Sequence, residues 1–576
     1  MKGTVGLLLS GLALLLYGPA LPVHADGIVP DSLIALLEGE SLDAASFLYE
    51  RLTLWYEPDG DAGGATNAVR PDTTVQSGRL LLQTTAQGTP GTRRPATFTR
   101  FYLANPRYEA GGMIHRSRGE TAVTDLWRAY AVVKQPSLKI TAGDIGVNAG
   151  HGWTVATRPA MPYGWRIPGD RLQSEGRLYG RLSREEGRGW KGAGVAWRKR
   201  RFALDAWAGI GACDARTTED GTLLYASQGD HTGPARDRIY EALYGMVVSY
   251  RGTHLSVDVP AWWNRWSDRP ATEGQPSRFD GMTVQNRAVG TALSWQRDEM
   301  TVESEVALHE RGRWGGELDG SVRGEDWRAS VGAFSADKHF PSLHARPFLP
   351  FGSDPAGRAG LTGEFETGTT GKTVGLLWAQ DWTNATQNTD EPGQRRRSGR
   401  VYLRYEPSRD RSVEVRIETR SEMNGGEEEW RSGVTVIGRV QVDPRSSLQV
   451  RTQAVTATGR ATGYAFAGKW MEQIGRRWQY SLVTGYAMVP NGHPGVTLPA
   501  PYTPGTFPVR RATTTGLKLA LKVSWKPIQG LRAWGMLQTD SYDELTLVED
   551  PSLQERSMLL HLGLSLRSDF PAVVSK

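Results

Sequence analysis

Residues 411–420 read Arg-Ser-Val-Glu-Val-Arg-Ile-Glu-Thr-Arg, so Val413, Val415, Ile417 and Thr419 share one side of an extended chain, and Glu414, Arg416 and Glu418 share the other. A period of two is the signature of a strand whose faces meet different surroundings. Four further segments repeat it. Val302, Ser304, Val306 and Leu308 oppose Glu303, Glu305, Ala307 and His309, and Leu448, Val450, Thr452 and Ala454 oppose Gln449, Arg451 and Gln453. Leu517, Leu519, Leu521, Val523 and Trp525 oppose Lys518, Ala520, Lys522 and Ser524, while Met558, Leu560, Leu562, Leu564 and Leu566 oppose Leu559, His561, Gly563 and Ser565. None of the 22 apolar-face positions is charged, against 8 of 18 on the other face. Such asymmetry suits lipid on one side and water on the other, because Arg or Lys at a bilayer midplane costs about 2 to 4 kcal/mol.

Outward from these segments the same texture runs from about Gln76 to Phe570. Counting strand-length runs predicts an all-β chain, a large antiparallel transmembrane β-barrel of about 22 to 26 strands occupying residues 76–576. The connections alternate. Arg251-Gly252, Arg297-Asp298-Glu299, Arg323-Gly324, Pro407-Ser408-Arg409, Asp443-Pro444-Arg445 and Lys526-Pro527 read as short turns, and polar stretches near 145–173, 213–240, 263–282, 335–356, 383–398 and 489–512 read as long loops. Short turns on one side and long loops on the other are the habit of outer-membrane barrels. Trp197, Tyr250, Trp295, Tyr405 and Trp525 stand just before short turns, where an interfacial aromatic girdle would fall. Twenty Trp in a sheet protein can also be plain packing residues, since Trp favours strands.

The N-terminus predicts export. Lys2 precedes an apolar stretch from Val5 to Leu16, and Leu21-Pro22-Val23-His24-Ala25 has the small residues of a cleavage site, giving a signal peptide over 1–25. Residues 26–57 read as a short helical segment carrying Leu33, Ile34, Leu36, Leu37, Phe47, Leu48 and Trp55, and 58–75 as a linker around Asp59-Gly60-Asp61. That linker lacks the distal Glu of a calcium loop. The mean hydropathy of −0.44 fits a barrel, whose inner face and loops lower the average.

Composition excludes several chemistries. The single cysteine, Cys213, read as lying in a loop, rules out an intrachain disulfide. A net charge of +6 is spread over 68 basic and 62 acidic residues, with no basic face of the kind nucleic acid requires. The densest run, Arg395-Arg396-Arg397, reads as a solvated loop and Arg198-Lys199-Arg200-Arg201 as a turn. There is no G-x-S-x-G, no H-E-x-x-H, no phosphate-binding loop and no C-x-x-C pair. Neither enzymatic activity, nor a cofactor, nor a metal is expected.

The segment Ile140-Thr141-Ala142-Gly143-Asp144, followed by Gly150-His151-Gly152, by residues 177–192 and by Gly229-Asp230-His231-Thr232, resembles a group of large bacterial outer-membrane β-barrels. In that group a strand ending in Gly-Asp leads into a Gly-x-Gly loop, and a helix-hairpin-helix segment often precedes the barrel. No Gly-centred hairpin of that kind separates the helices predicted here. The resemblance implies fold and location, namely the outer membrane of a Gram-negative bacterium.

The expected partners are outer-membrane lipid, the barrel-assembly machinery and an unidentified solute. Glu303, Glu305, Glu414, Arg416, Glu418, Arg451, Lys518 and Lys522 are the candidate lumen-lining residues, since charged rings tune which solutes pass a water-filled pore. Two other classes stay open. One is a secreted all-β carbohydrate-binding protein or hydrolase, whose aromatics would gather in one cleft. The other is a non-conducting surface scaffold or adhesin.

Overall fold

The structure, a computed structural model, describes residues 77–88, 96–116, 126–157, 178–182, 190–213, 215–217, 223–225, 239–267, 284–340, 344–345, 347, 356–369, 371–383, 395–408, 410–424, 427–490, 495–499, 509–512, 515–528, 531–541 and 556–571. The expected signal peptide, helical segment and linker lie outside the described residues.

Among the described residues the main sheet has 26 strands; two are short, Val155–Ala156 and Leu178–Gly180, and pair with Leu138–Ala149, and the other 24 follow one another round a closed antiparallel barrel. Closure is made by the first and last strands, Ser77–Gly88 and Arg556–Pro571, in register from Ser77 opposite Pro571 to Gly88 opposite Leu560. A sheet closed on itself has no edge, so every strand backbone finds partners within the protein, as a lipid environment demands.

Side-chain alternation decides which way each strand faces. In Met300–His309 the even positions Val306 and Leu308 are exposed and the odd positions Thr301, Glu303, Glu305, Ala307 and His309 are buried. Gln285–Arg297 and Ile239–Arg251 show the same strict pattern. The outer face is a continuous apolar belt, so the chain is a large antiparallel transmembrane β-barrel. Among the described residues the connections on one rim are short. Arg200 and Asp298, with φ of 54° and 50°, take the left-handed conformation in two-residue turns, as tight hairpins require.

Many outward-facing aromatic residues fall in two bands, with a few such as Trp378 between them. Trp197, Tyr250, Trp295, Tyr405, Trp478 and Trp525 stand near the short-turn rim, and Tyr240, Trp263, Trp314, Trp430, Tyr464 and Tyr486 stand toward the other end of their strands. Within the bands rings meet across strands, Trp478 on Trp525 at 5.7 Å and Tyr244 on Trp263 at 5.8 Å. Tyr240 and Tyr250 share one strand, ten residues or about 33 Å apart, which at the usual tilt is about 25 Å along the barrel axis.

Two local expectations change. Arg395-Arg396-Arg397 open the strand Arg395–Ser408 instead of lying in a loop, because Arg396 turns inward to Asp381. Cys213 ends the strand Phe202–Cys213, paired with Ile239, instead of sitting in a loop.

Val306 lies about midway up the belt, whereas Val442 lies beside a short turn. Val306→Arg should destabilise the barrel in a urea titration in lipid by about 2 to 4 kcal/mol, and Val442→Arg by less than about 1 kcal/mol.

Candidate functional site: the barrel interior

Leu138–Ala149 begins as an ordinary wall strand and ends as the root of an inward loop. Its first half pairs with Leu126–Lys134 as far as Gly143, opposite Tyr130. Beyond that point the partner on that side becomes the short strand Leu178–Gly180. Gly143 has φ of 101°, and a Cβ there would lie 2.3 Å from the Ala129 carbonyl oxygen, so only glycine permits the switch. Asp144 then repairs the ladder. Its Oδ2 accepts the Ala129 N–H at 2.8 Å and its Oδ1 accepts from Arg128 at 3.1 Å.

The chain that follows, Gly150-His151-Gly152-Trp153-Thr154, folds into the barrel. Glu305, fully buried on the wall, accepts the backbone N–H of His151, and the N–H and hydroxyl of Thr154 at 2.9 Å each. Gly150 has φ of 56°, and a Cβ on it would meet Glu305 Oε2 at 2.6 Å, so the sharp turn and the close approach both call for glycine. Trp262 donates its indole N–H to the Thr154 carbonyl at 2.8 Å. His151 Nδ1 lies 2.7 Å from Glu317 Oε1 on the neighbouring strand Trp314–Arg323.

A second inward contact comes from His344, whose Nε2 lies 2.5 Å from Glu241 Oε1. Glu241 also accepts from Asn264 and from the Trp190 indole, at 2.5 and 3.1 Å. The His344 ring meets Trp262 edge-on at 5.0 Å, and the His344 carbonyl accepts the Ala156 N–H. Around these contacts Ile145, Val147, Val155, Leu178, Trp207, Leu243 and Val247 form an apolar core inside the barrel. His309 sits between Trp262 and Phe340, both of its ring nitrogens without a hydrogen-bond partner among the described residues. His151, Glu317 and Asp319 also bring three ligand atoms within 4.8 Å of one another, enough to hold a metal ion.

Charge on the inner face is sorted by sector and not arranged in a ring. Six consecutive strands from Phe202–Cys213 to Trp314–Arg323 present Asp205, Glu241, Asp258, Glu303, Glu305, Glu317 and Asp319, all buried. The cations of this arc stand at the short-turn end, as where Arg251 pairs with Asp258 at 2.8 Å. Eight consecutive strands from Arg395–Ser408 to Leu531–Ser541 present instead Arg396, Arg400, Arg404, Arg416, Arg420, Arg431, Arg439, Arg451, Lys469, Lys518, Lys522 and Arg532. Against them stand Glu406, Glu414, Glu418, Glu422 and, across from Glu422, Glu429. Three strands part the two arcs on one side and seven on the other, so they face each other across the interior.

The residues singled out in the sequence divide between these arcs. Glu303 and Glu305 belong to the acidic one, and Glu414, Arg416, Glu418, Arg451, Lys518 and Lys522 to the basic one. Glu414 pairs with Arg416, and Glu418 forms an ion pair with Arg400 at 2.6 Å. Arg451 donates to Thr497 in a small inward hairpin, Val496–Pro499 with Val509–Ala512, that packs on Val455, Ala465 and Ala467. Glu241, His344, Trp262 and Glu317 were not singled out. The inward loop itself had a sequence signal, the Gly-Asp and Gly-x-Gly spacing.

Glu305→Ala strips three donors of their acceptor. The amides of His151 and Thr154 should then exchange about tenfold to a hundredfold faster in hydrogen-exchange mass spectrometry, since a hydrogen bond to a charged group is worth about 1.5 to 3 kcal/mol. Gly143→Val should reduce the yield of heat-modifiable folded barrel, while Gly438→Val, where a Cβ meets nothing within 4 Å, should not.

No protein-family model matches the chain, and no curated protein sequence does. Solved structures of similar architecture include the siderophore receptor PirA from Pseudomonas aeruginosa, with a TM-score of 0.44 and 7% identity over 85% of this chain and 80% of that one. The translocation pore of the P pilus usher PapC gives 0.35 and 11% over 87% and 100%. Pseudomonas aeruginosa OccK11 gives 0.34 and 10% over 66% and 94%.

Proposed function

We propose that this protein is an outer-membrane channel or transport component, exported to a Gram-negative envelope, that moves a water-soluble solute through its interior without catalysis. The observation that carries this reading is the division of the inner wall into an acidic arc, closed over by inward loops, and a basic arc facing it. A barrel of 24 strands encloses more space than its own inward side chains can fill, so it must hold a plug or a passage. The inward loop and the Val496–Pro499 hairpin occupy parts of the wall and supply constriction. The two aromatic bands match lipid interfaces at either end of a span about 25 Å tall, and they do not gather in one cleft as a sugar-stacking site would.

Lipid and the assembly machinery are the partners this reading requires. Phe570 and Pro571 end the closing strand beside Gly78 and Ser77, where assembly factors would meet the barrel seam.

Refolded protein in a planar bilayer should give discrete current steps, and Glu305→Ala, which unpins the inward loop, should give larger ones. A heat-modifiable, folded barrel that stays silent in both forms would overturn the channel reading in favour of a non-conducting scaffold.

A further inference from the structure

The two arcs differ in more than sign. The acidic carboxylates are consumed in holding protein: Glu305 takes the inward loop, Glu241 takes His344, Asn264 and Trp190, and Asp258 takes Arg251. They are also buried to 7% exposure or less. At the short-turn end of the opposite wall, by contrast, lies a cavity of about 790 Å³. Its charged lining is Arg404, Arg411, Arg439 and Lys469 against Glu406 and Asp410, with Gln441 and Gln449 among the neutral groups. Arg404 pairs with Glu406 at 2.5 Å and Arg439 lies 3.8 Å from Glu414, so both are held in place at the cavity wall.

Resting on the channel reading above, we infer that the protein selects anionic solutes, small molecules bearing carboxylate or phosphate groups, which enter or leave past this basic basin at the short-turn mouth. A concave, low-dielectric wall with a net charge of one sign, here four cations against two carboxylates, concentrates counter-ions of the other. The opposing acidic arc cannot attract cations equally, because protein covers it. Paired and buried, its carboxylates offset the basic basin less than their number suggests. Arginine dominates the basic wall, and its planar fork matches carboxylate and phosphate oxygens two at a time.

The test is the reversal potential of refolded, full-length mature protein in a potassium chloride gradient near 0.1 M. Chloride should be more permeant than potassium on the order of 3- to 10-fold. In 1 M salt the preference should fall toward unity, since the screening length shrinks from about 10 Å to about 3 Å. Lys469→Glu and Arg439→Glu should each lower the ratio in 0.1 M salt, and Lys469→Gln, a milder change, should lower it less. Inorganic phosphate added on the short-turn side should reduce the chloride current of the wild type more than that of Lys469→Glu. Current that is unselective or cation-selective in 0.1 M salt overturns the anion assignment while leaving the channel intact. Silence from a folded barrel overturns both.

Discussion

Everything in this molecule depends on closing the backbone hydrogen-bond ladder. In hydrocarbon an unpaired N–H or C=O costs several kcal/mol, so a spanning sheet has to join its last strand to its first. The twelve-residue register between Ser77–Gly88 and Arg556–Pro571 does this between segments almost 500 residues apart in sequence. Closure also creates an inside. Once the apolar positions of each strand are committed to lipid, the alternate positions must line an enclosed space, and that is where all the chemical variety of the chain is gathered.

The same ladder constraint explains how a strand can leave the wall. Wherever the backbone departs from the sheet, donors are orphaned, and here carboxylates take them. Asp144 accepts the Ala129 N–H where Leu138–Ala149 parts from its neighbour, and Glu305 accepts two amides and a hydroxyl from the loop that strand leads into. An ionised carboxylate has room for several donors, and each such bond is stronger than a neutral one. The acidic arc is therefore intelligible as scaffolding. Its charges stand where chain has to be held away from the wall; on the basic arc the same part is played by Arg451, which holds the Val496–Pro499 hairpin through Thr497.

Much of the architecture was legible in the sequence because two simple signals repeat. Period-two alternation at Val413 to Thr419 or Val302 to Leu308 states which face meets lipid, and a turn such as Asp443-Pro444-Arg445 marks the rim. Both are local. What lay out of reach was contact between distant segments. Nothing in the run around Glu241 announces that it will meet His344, and Glu317 and His151 come together across 166 positions. The charged inner positions were readable one at a time, but their sorting into sectors was not, because it depends on which strands stand opposite one another in the closed circle. Arg395-Arg396-Arg397 misled for a related reason: three arginines in a polar stretch look solvated until Asp381 on the adjacent strand is known to receive Arg396.

The lopsided filling of the interior has a mechanical side. Over the strands near Ile145, Trp262 and Trp207 the barrel wall is two layers thick, braced by indole rings and apolar side chains packed with the density of a protein core. On the far wall the second layer is smaller: the Val496–Pro499 hairpin covers Val455, Ala465 and Ala467, and none of the described segments covers the strands around the cavity beside Arg404 and Lys469. A tube with one stiffened flank does not breathe evenly. The braced side is the one that resists a change of bore, and the side around the cavity is the one with fewer internal contacts to lose.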